Sequence, residues 1–66
     1  MKIGEAIRYF EQELEKIEEA EAIEASAAEP DEELLHAWSY EREATDMALA
    51  ALRVIHARLV CLGIDG

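Results

Sequence analysis

The chain has one cysteine, Cys61, among 66 residues. An intramolecular disulfide is therefore excluded, and no zinc-type spacing of Cys and His is present. A lone thiol in so short a chain fits a reducing cytosol better than an oxidising compartment. Basic residues are also scarce: six Lys and Arg stand against 16 Asp and Glu, a formal net charge of −10. Phosphate contacts need clustered cations, so direct binding to nucleic acid is not expected. A basic protein partner fits this charge, as does the simpler role of keeping a sticky assembly in solution.

No apolar run is long enough to span a bilayer. The greasiest stretch, Ala44 to Leu62, is interrupted by Thr45, Asp46, Arg53, His56 and Arg58. A span wants about 20 apolar residues, and each of those charges is expensive at mid-bilayer. No membrane partner is expected. The first residues show neither the apolar core nor the small-residue cleavage site of a signal peptide. Internal repeats and the alternating polarity of strands are missing too. What remains is helix.

The first helix is expected from about Ile3 to about Ala27. Ile3, Ile7, Phe10, Leu14 and Ile17 recur at spacings of four and three, which gives one apolar seam. Continued in register, that seam meets Glu21 and Glu24, so the apolar positions are expected to shift to Ala20, Ile23 and Ala27. The break comes at AAEPDEE. Pro30 disfavours helix at Glu29 and suits the first position of a new helix. Asp31, Glu32 and Glu33 then favour the positive end of the helix dipole. The second helix is expected from about Pro30 to about Leu62, with Gly63 as its terminator.

In the second helix Leu34, Trp38, Glu41, Thr45, Ala48, Leu52, Ile55, Leu59 and Leu62 alternate by four and three. Heptad spacing of this kind suits long, nearly parallel helix packing. Ala37, Ala44 and Ala51 lie beside it, and Tyr40, Met47, Val54 and Cys61 form a further strip. The solvated face is then narrow: Ser39, Arg42, Glu43, Asp46 and Arg53. So short a connection makes the two helices antiparallel neighbours. The expected fold is all-α: residues 1–66 form a single helical-hairpin domain, about 3–27 and 30–62, that dimerises into a four-helix bundle.

Dimerisation is expected because a helix that is apolar nearly all round must be covered, and a 66-residue chain is short for a self-sufficient core. The expected interface comprises Ala44, Ala48, Ala51, Leu52, Ile55, Leu59 and Leu62. Glu41 and Thr45 are polar interruptions of the seam, suited to fixing register and oligomer state. Tyr40, an amphipathic aromatic, is the candidate partner contact.

Carboxylates offer a second reading. Glu21-Ala-Ile-Glu24 and Glu43-Ala-Thr-Asp46 each place two acids on one helix face. Four converging carboxylates suit Mg²⁺, which takes oxygen ligands. The order E-x-x-E then E-x-x-D, with the ending Leu62-Gly63-Ile64-Asp65, resembles the MazG-like all-α nucleotide pyrophosphohydrolases. That resemblance implies a magnesium-dependent hydrolase or nucleotide-binding relative, with magnesium on Glu21, Glu24, Glu43 and Asp46. The chain departs from the family in having no flanking helices to form a nucleotide pocket. Glu33-Leu-Leu-His36 has the spacing of a di-iron motif, but its Glu33 falls in a capping turn.

Two further stretches, GEAIRYFEQELE from Gly4 and EATDMALAALR from Glu43, resemble short uncharacterised helical proteins encoded by phages and prophages of Gram-positive bacteria. The resemblance carries no active residues. It implies an accessory protein of the bacterial host cytoplasm, acting on a host protein such as a defence or regulatory factor. The leading expectation is thus a non-enzymatic, self-associating acidic hairpin without a cofactor that binds a partner protein. The magnesium-dependent hydrolase comes second, and a small-ligand sponge with a site between protomers third.

Overall fold

A computed structural model describes residues 1–64. Two helices, α1 (Ile3–Ala25) and α2 (Glu32–Cys61), form an antiparallel hairpin. The outline is a rod of 52 × 15 × 14 Å with a radius of gyration of 15.3 Å. A compact chain of this length has a radius of gyration of about 11 Å. The elongation follows from two long helices packed side by side, with nothing else among the described residues folded over them.

Helix α1 ends two residues earlier than its composition suggests. The Ser26 hydroxyl donates to the Ala22 carbonyl at 2.9 Å, and the Ser26 and Ala27 amides close the last turn on Ala22 and Glu24. Pro30 does not open α2. Asp31 is the N-cap, its carboxylate accepting from the Glu33 and Leu34 amides at 3.0 and 3.2 Å. Pro30 stands one residue outside. A carboxylate that satisfies two orphan amides outcompetes the mere tolerance of proline at the first helical position. Glu24 reaches across the turn and accepts the Asp31 amide at 2.9 Å, so the end of α1 is tied to the start of α2. Asp31→Ala is expected to cost about 0.5–2 kcal/mol, read as a lower thermal midpoint by circular dichroism. Asp31→Asn should retain most of the stability.

At the far end, Gly63 adopts φ 76°, its amide bonds to the Val60 carbonyl at 3.0 Å, and the Ile64 amide reaches Leu59 at 2.8 Å. This is the Schellman termination, which needs a residue at ease with positive φ.

The seam of α1 is as the spacing suggests, with Ile3, Ile7, Phe10, Leu14 and Ile17 all half-buried. Beyond Ile17, however, it keeps its register through the half-buried Glu21 and Glu24, while Ile23 is 67% exposed. The carboxylates stay on the seam because Arg42 and the Asp31 amide satisfy them.

The seam of α2 differs by one residue at every second step from the expected one. Leu35, Trp38, Arg42, Thr45, Leu49, Leu52, His56 and Leu59 face α1. Leu34, Glu41 and Ile55 are exposed, and Ala48 lies at the edge of the contact. Among the described residues only Leu49, 1% exposed, is fully buried. The physical choice lies between placing Leu49 or Ala48 against α1. Leucine buries far more apolar area than alanine, and the same rotation brings Arg42 and Arg53 onto acids of α1.

Candidate functional site

The two long edges of the hairpin differ in chemistry. Along one edge the helices are clamped by ion pairs: Arg42 Nε donates to Glu21 Oε1 at 2.8 Å, and Arg53 Nη2 to Glu11 Oε2 at 3.0 Å. The hydrogen bond from Arg42 to Glu21 raises the guanidinium pKa, and the charge of that carboxylate adds to the effect. Arg42 thus belongs to the seam, not to the solvated face.

The opposite edge holds an open groove of about 280 Å³ lined by Tyr9, Phe10, Glu13, Ile17, Glu41, Ala44 and Thr45. Tyr9 and Phe10 meet edge to face, ring centres 5.5 Å apart and planes at 76°. Glu13 accepts from Lys16 at 3.3 Å. The Thr45 hydroxyl donates to the Glu41 carbonyl at 2.8 Å. Among the described residues the Glu41 carboxylate has no partner, and neither has the Arg58 guanidinium.

From this edge round to the outer side of α2 the surface is mostly apolar, interrupted by the exposed Glu41 and Arg58. Ala37, Ala44, Ala51 and Ile55 are exposed, Tyr40, Met47 and Val54 are 72%, 74% and 65% exposed, and Leu62 is 71% exposed. Of the expected interface residues, Ala44, Ala51, Ile55 and Leu62 are free for an external partner. Ala48 is half-covered, and Leu52 and Leu59 are half-buried on the side of α1. Beyond Leu59, Val60, Cys61 and Leu62 are exposed at the end of α2. Glu41 is exposed rather than set in the intrachain seam, and Thr45 remains half-buried there. The adjoining row of Tyr40, Met47 and Val54 was legible as a strip in the sequence, although only Tyr40 among them carried a polar handle to mark it as a contact.

Area gives the scale of the uncovered surface. The chain exposes 5098 Å². A compact monomer of 7.4 kDa exposes about 4,200 Å² by the scaling of area with mass. The excess, about 900 Å², is close to the ~800 Å² that each partner contributes to a standard protein interface.

The acidic pairs take up separate positions. Glu21 is bound to Arg42 and Glu24 to the Asp31 amide, while Glu43 and Asp46 are exposed on α2. Among the described residues no three His, Cys, Asp or Glu side chains converge on one point. Glu33 and His36 are both exposed, and the Glu33 amide serves the Asp31 cap. No helix of the described residues is long and apolar enough to cross a membrane.

No family model, curated protein or solved structure matches the chain.

Proposed function

We propose that the chain works as a homodimer, two hairpins closing as a four-helix assembly, whose acidic outer surface binds a basic host protein. The observation that carries this reading is the uncovered apolar face of α2, with an exposed area exceeding that of a compact monomer by about one partner's share of a standard interface. Covering that face leaves the acids on the outside. Glu15, Glu18 and Glu19 on α1 are exposed, and the net charge of −10 per chain doubles in the dimer. A field of one sign speeds the encounter with a partner of the other. In this reading the chain is a phage or prophage accessory protein acting in the bacterial cytoplasm on a host defence or regulatory factor.

The test has two arms. Sedimentation at micromolar concentration should give a particle of about 15 kDa, twice 7.4 kDa. A photo-crosslinker placed at Glu19 should capture one basic protein in host cells, and reversal of Glu15 and Glu18 to lysine should abolish capture while leaving the dimer mass unchanged. Capture that survives charge reversal removes the acidic surface from the reading. A 7.4 kDa particle at all concentrations removes the dimer.

A further inference from the structure

The uncovered face of α2 has a regular spacing of its own. Leu34, Ala37, Glu41, Ala44, Ala48, Ala51, Ile55, Arg58 and Leu62 alternate by three and four along the helix. This strip runs beside the α1-facing seam: Leu34, Glu41, Ala48 and Ile55 each precede a seam residue by one position. It therefore lies ~100° round the helix from that seam. Helix α2 carries two heptad strips, of which α1 uses one.

We infer that the second strip is the contact between two copies of the chain, with the two α2 helices antiparallel about a two-fold axis between Leu49 and Ala50, and Glu41 of each copy paired with Arg58 of the other. This rests on the dimer put forward above and adds its direction and register.

The argument is one of complementarity along the strip. Antiparallel pairing about that axis sets Ala37 against Leu62, Ala44 against Ile55 and Ala48 against Ala51. In the outer layers a large side chain meets a small one, as interdigitated packing requires. At the centre two alanines let the helices approach closely. Glu41 meets Arg58 twice, by symmetry. These are the acid and the base on the strip, and neither has a partner within the described hairpin.

Alternatives leave charges unmatched. Sliding the pairing by one heptad sets Arg58 against Leu34 or Ala48, and Glu41 against Ala51 or past the helix end. Parallel pairing opposes Glu41 to Glu41 and Arg58 to Arg58, and like charges across a helix contact disfavour association. The neighbouring row of Tyr40, Met47 and Val54 lies along the edge of the antiparallel contact, where two exposed apolar rows meet. A standard contact covers ~800 Å² per partner, of the same order as the ~900 Å² by which the chain exceeds a compact monomer.

The single cysteine supplies a ruler. Cys61 is exposed, and a nitroxide on it reports the separation of the two copies by electron-spin resonance. In the antiparallel register the two Cys61 positions lie about 35 Å apart along the axis, at ~1.5 Å per residue. In a parallel pair they sit side by side at roughly 8–10 Å between axes. The second arm is charge exchange in the full chain, with circular dichroism confirming that each variant is helical. Glu41→Arg or Arg58→Glu alone should weaken the dimer at least about tenfold, because like charges then face each other. The double variant E41R/R58E should return to within about threefold of the parent.

A short Cys61–Cys61 distance, singles that dimerise like the parent, or a double variant no tighter than the singles overturns this register and leaves self-association standing. A monomer at every concentration overturns both.

Discussion

Leu49→Ala is expected to unfold the protein at 37 °C. Leu49 is the one fully buried side chain among the described residues, 1% exposed. Truncating a buried leucine to alanine removes about 2–5 kcal/mol, the transfer energy of the lost atoms plus the cavity left behind. A core in a chain this small supplies no more than about 3–5 kcal/mol in total. The loss is therefore of the same size as the stability available. At about 4–8 °C per kcal/mol for a small domain, the thermal midpoint should fall by more than about 10 °C. Ile23→Ala is the control. It removes the same number of carbon atoms from a position of α1 outside both strips, where the side chain is 67% exposed, and should change stability by less than about 1 kcal/mol, well below the cost at a buried site. Comparable midpoint losses for the two variants would mean that Leu49 is not packed against α1, and the register described above would fall.

Ile55→Glu is expected to dissociate the proposed dimer without disrupting the isolated hairpin. On one chain Ile55 is 47% exposed, and a substitution at such a surface position is ordinarily within ±0.5 kcal/mol or so. In the proposed two-copy contact it faces Ala44 of the other copy in an apolar layer, and the cation within a turn of it, Arg58, is engaged there by Glu41 of the other copy. An ionised carboxylate buried there without a partner costs several kcal/mol, twice by symmetry, so the dimer should weaken by more than about a hundredfold. Two measurements read this. The parent's unfolding midpoint should rise with protein concentration, as it must when folding and association are linked. For Ile55→Glu that dependence should vanish and the mass should fall to 7.4 kDa. A parent midpoint independent of concentration would sink the prediction, as would a variant that keeps the parent's mass.

Both expectations turn on which strip of α2 faces which neighbour, and here the sequence was only partly legible. The seam of α1 could be read as far as Ile17 because its apolar spacing is unambiguous. The next positions, Glu21 and Glu24, looked like an end to the seam, since a carboxylate read in isolation belongs in water. Each is in fact satisfied by a group beyond the end of α1, Glu21 by the Arg42 guanidinium and Glu24 by the Asp31 amide across the turn. Arg42 was misplaced for the matching reason: its charge suggested solvent, and only the fold brings it to Glu21.

For α2 the difficulty was an excess of pattern. The strip through Leu35, Leu49 and His56 and the strip through Leu34, Ala48 and Ile55 both satisfy heptad spacing, and they differ by one residue in phase. Glu41 therefore read as an acid buried within the chain, whereas it lies on the face left over. Periodicity ranks both strips as apolar and does not say which one a given neighbour takes.

Composition and local chemistry alone determined that the chain is two helices, that they part around Pro30 and Asp31, that α2 ends at Gly63, and that more apolar surface exists than a hairpin can hide. Those features depend on propensity, capping and spacing, which act over a few residues. The tertiary structure decided the rotation of α2 about its axis, and with it which acids meet Arg42 and Arg53 and which apolar strip stays open. That choice depends on the volume of Leu49 and on ion pairs between residues far apart in the chain, and such pairings have a value only once the two helices lie side by side.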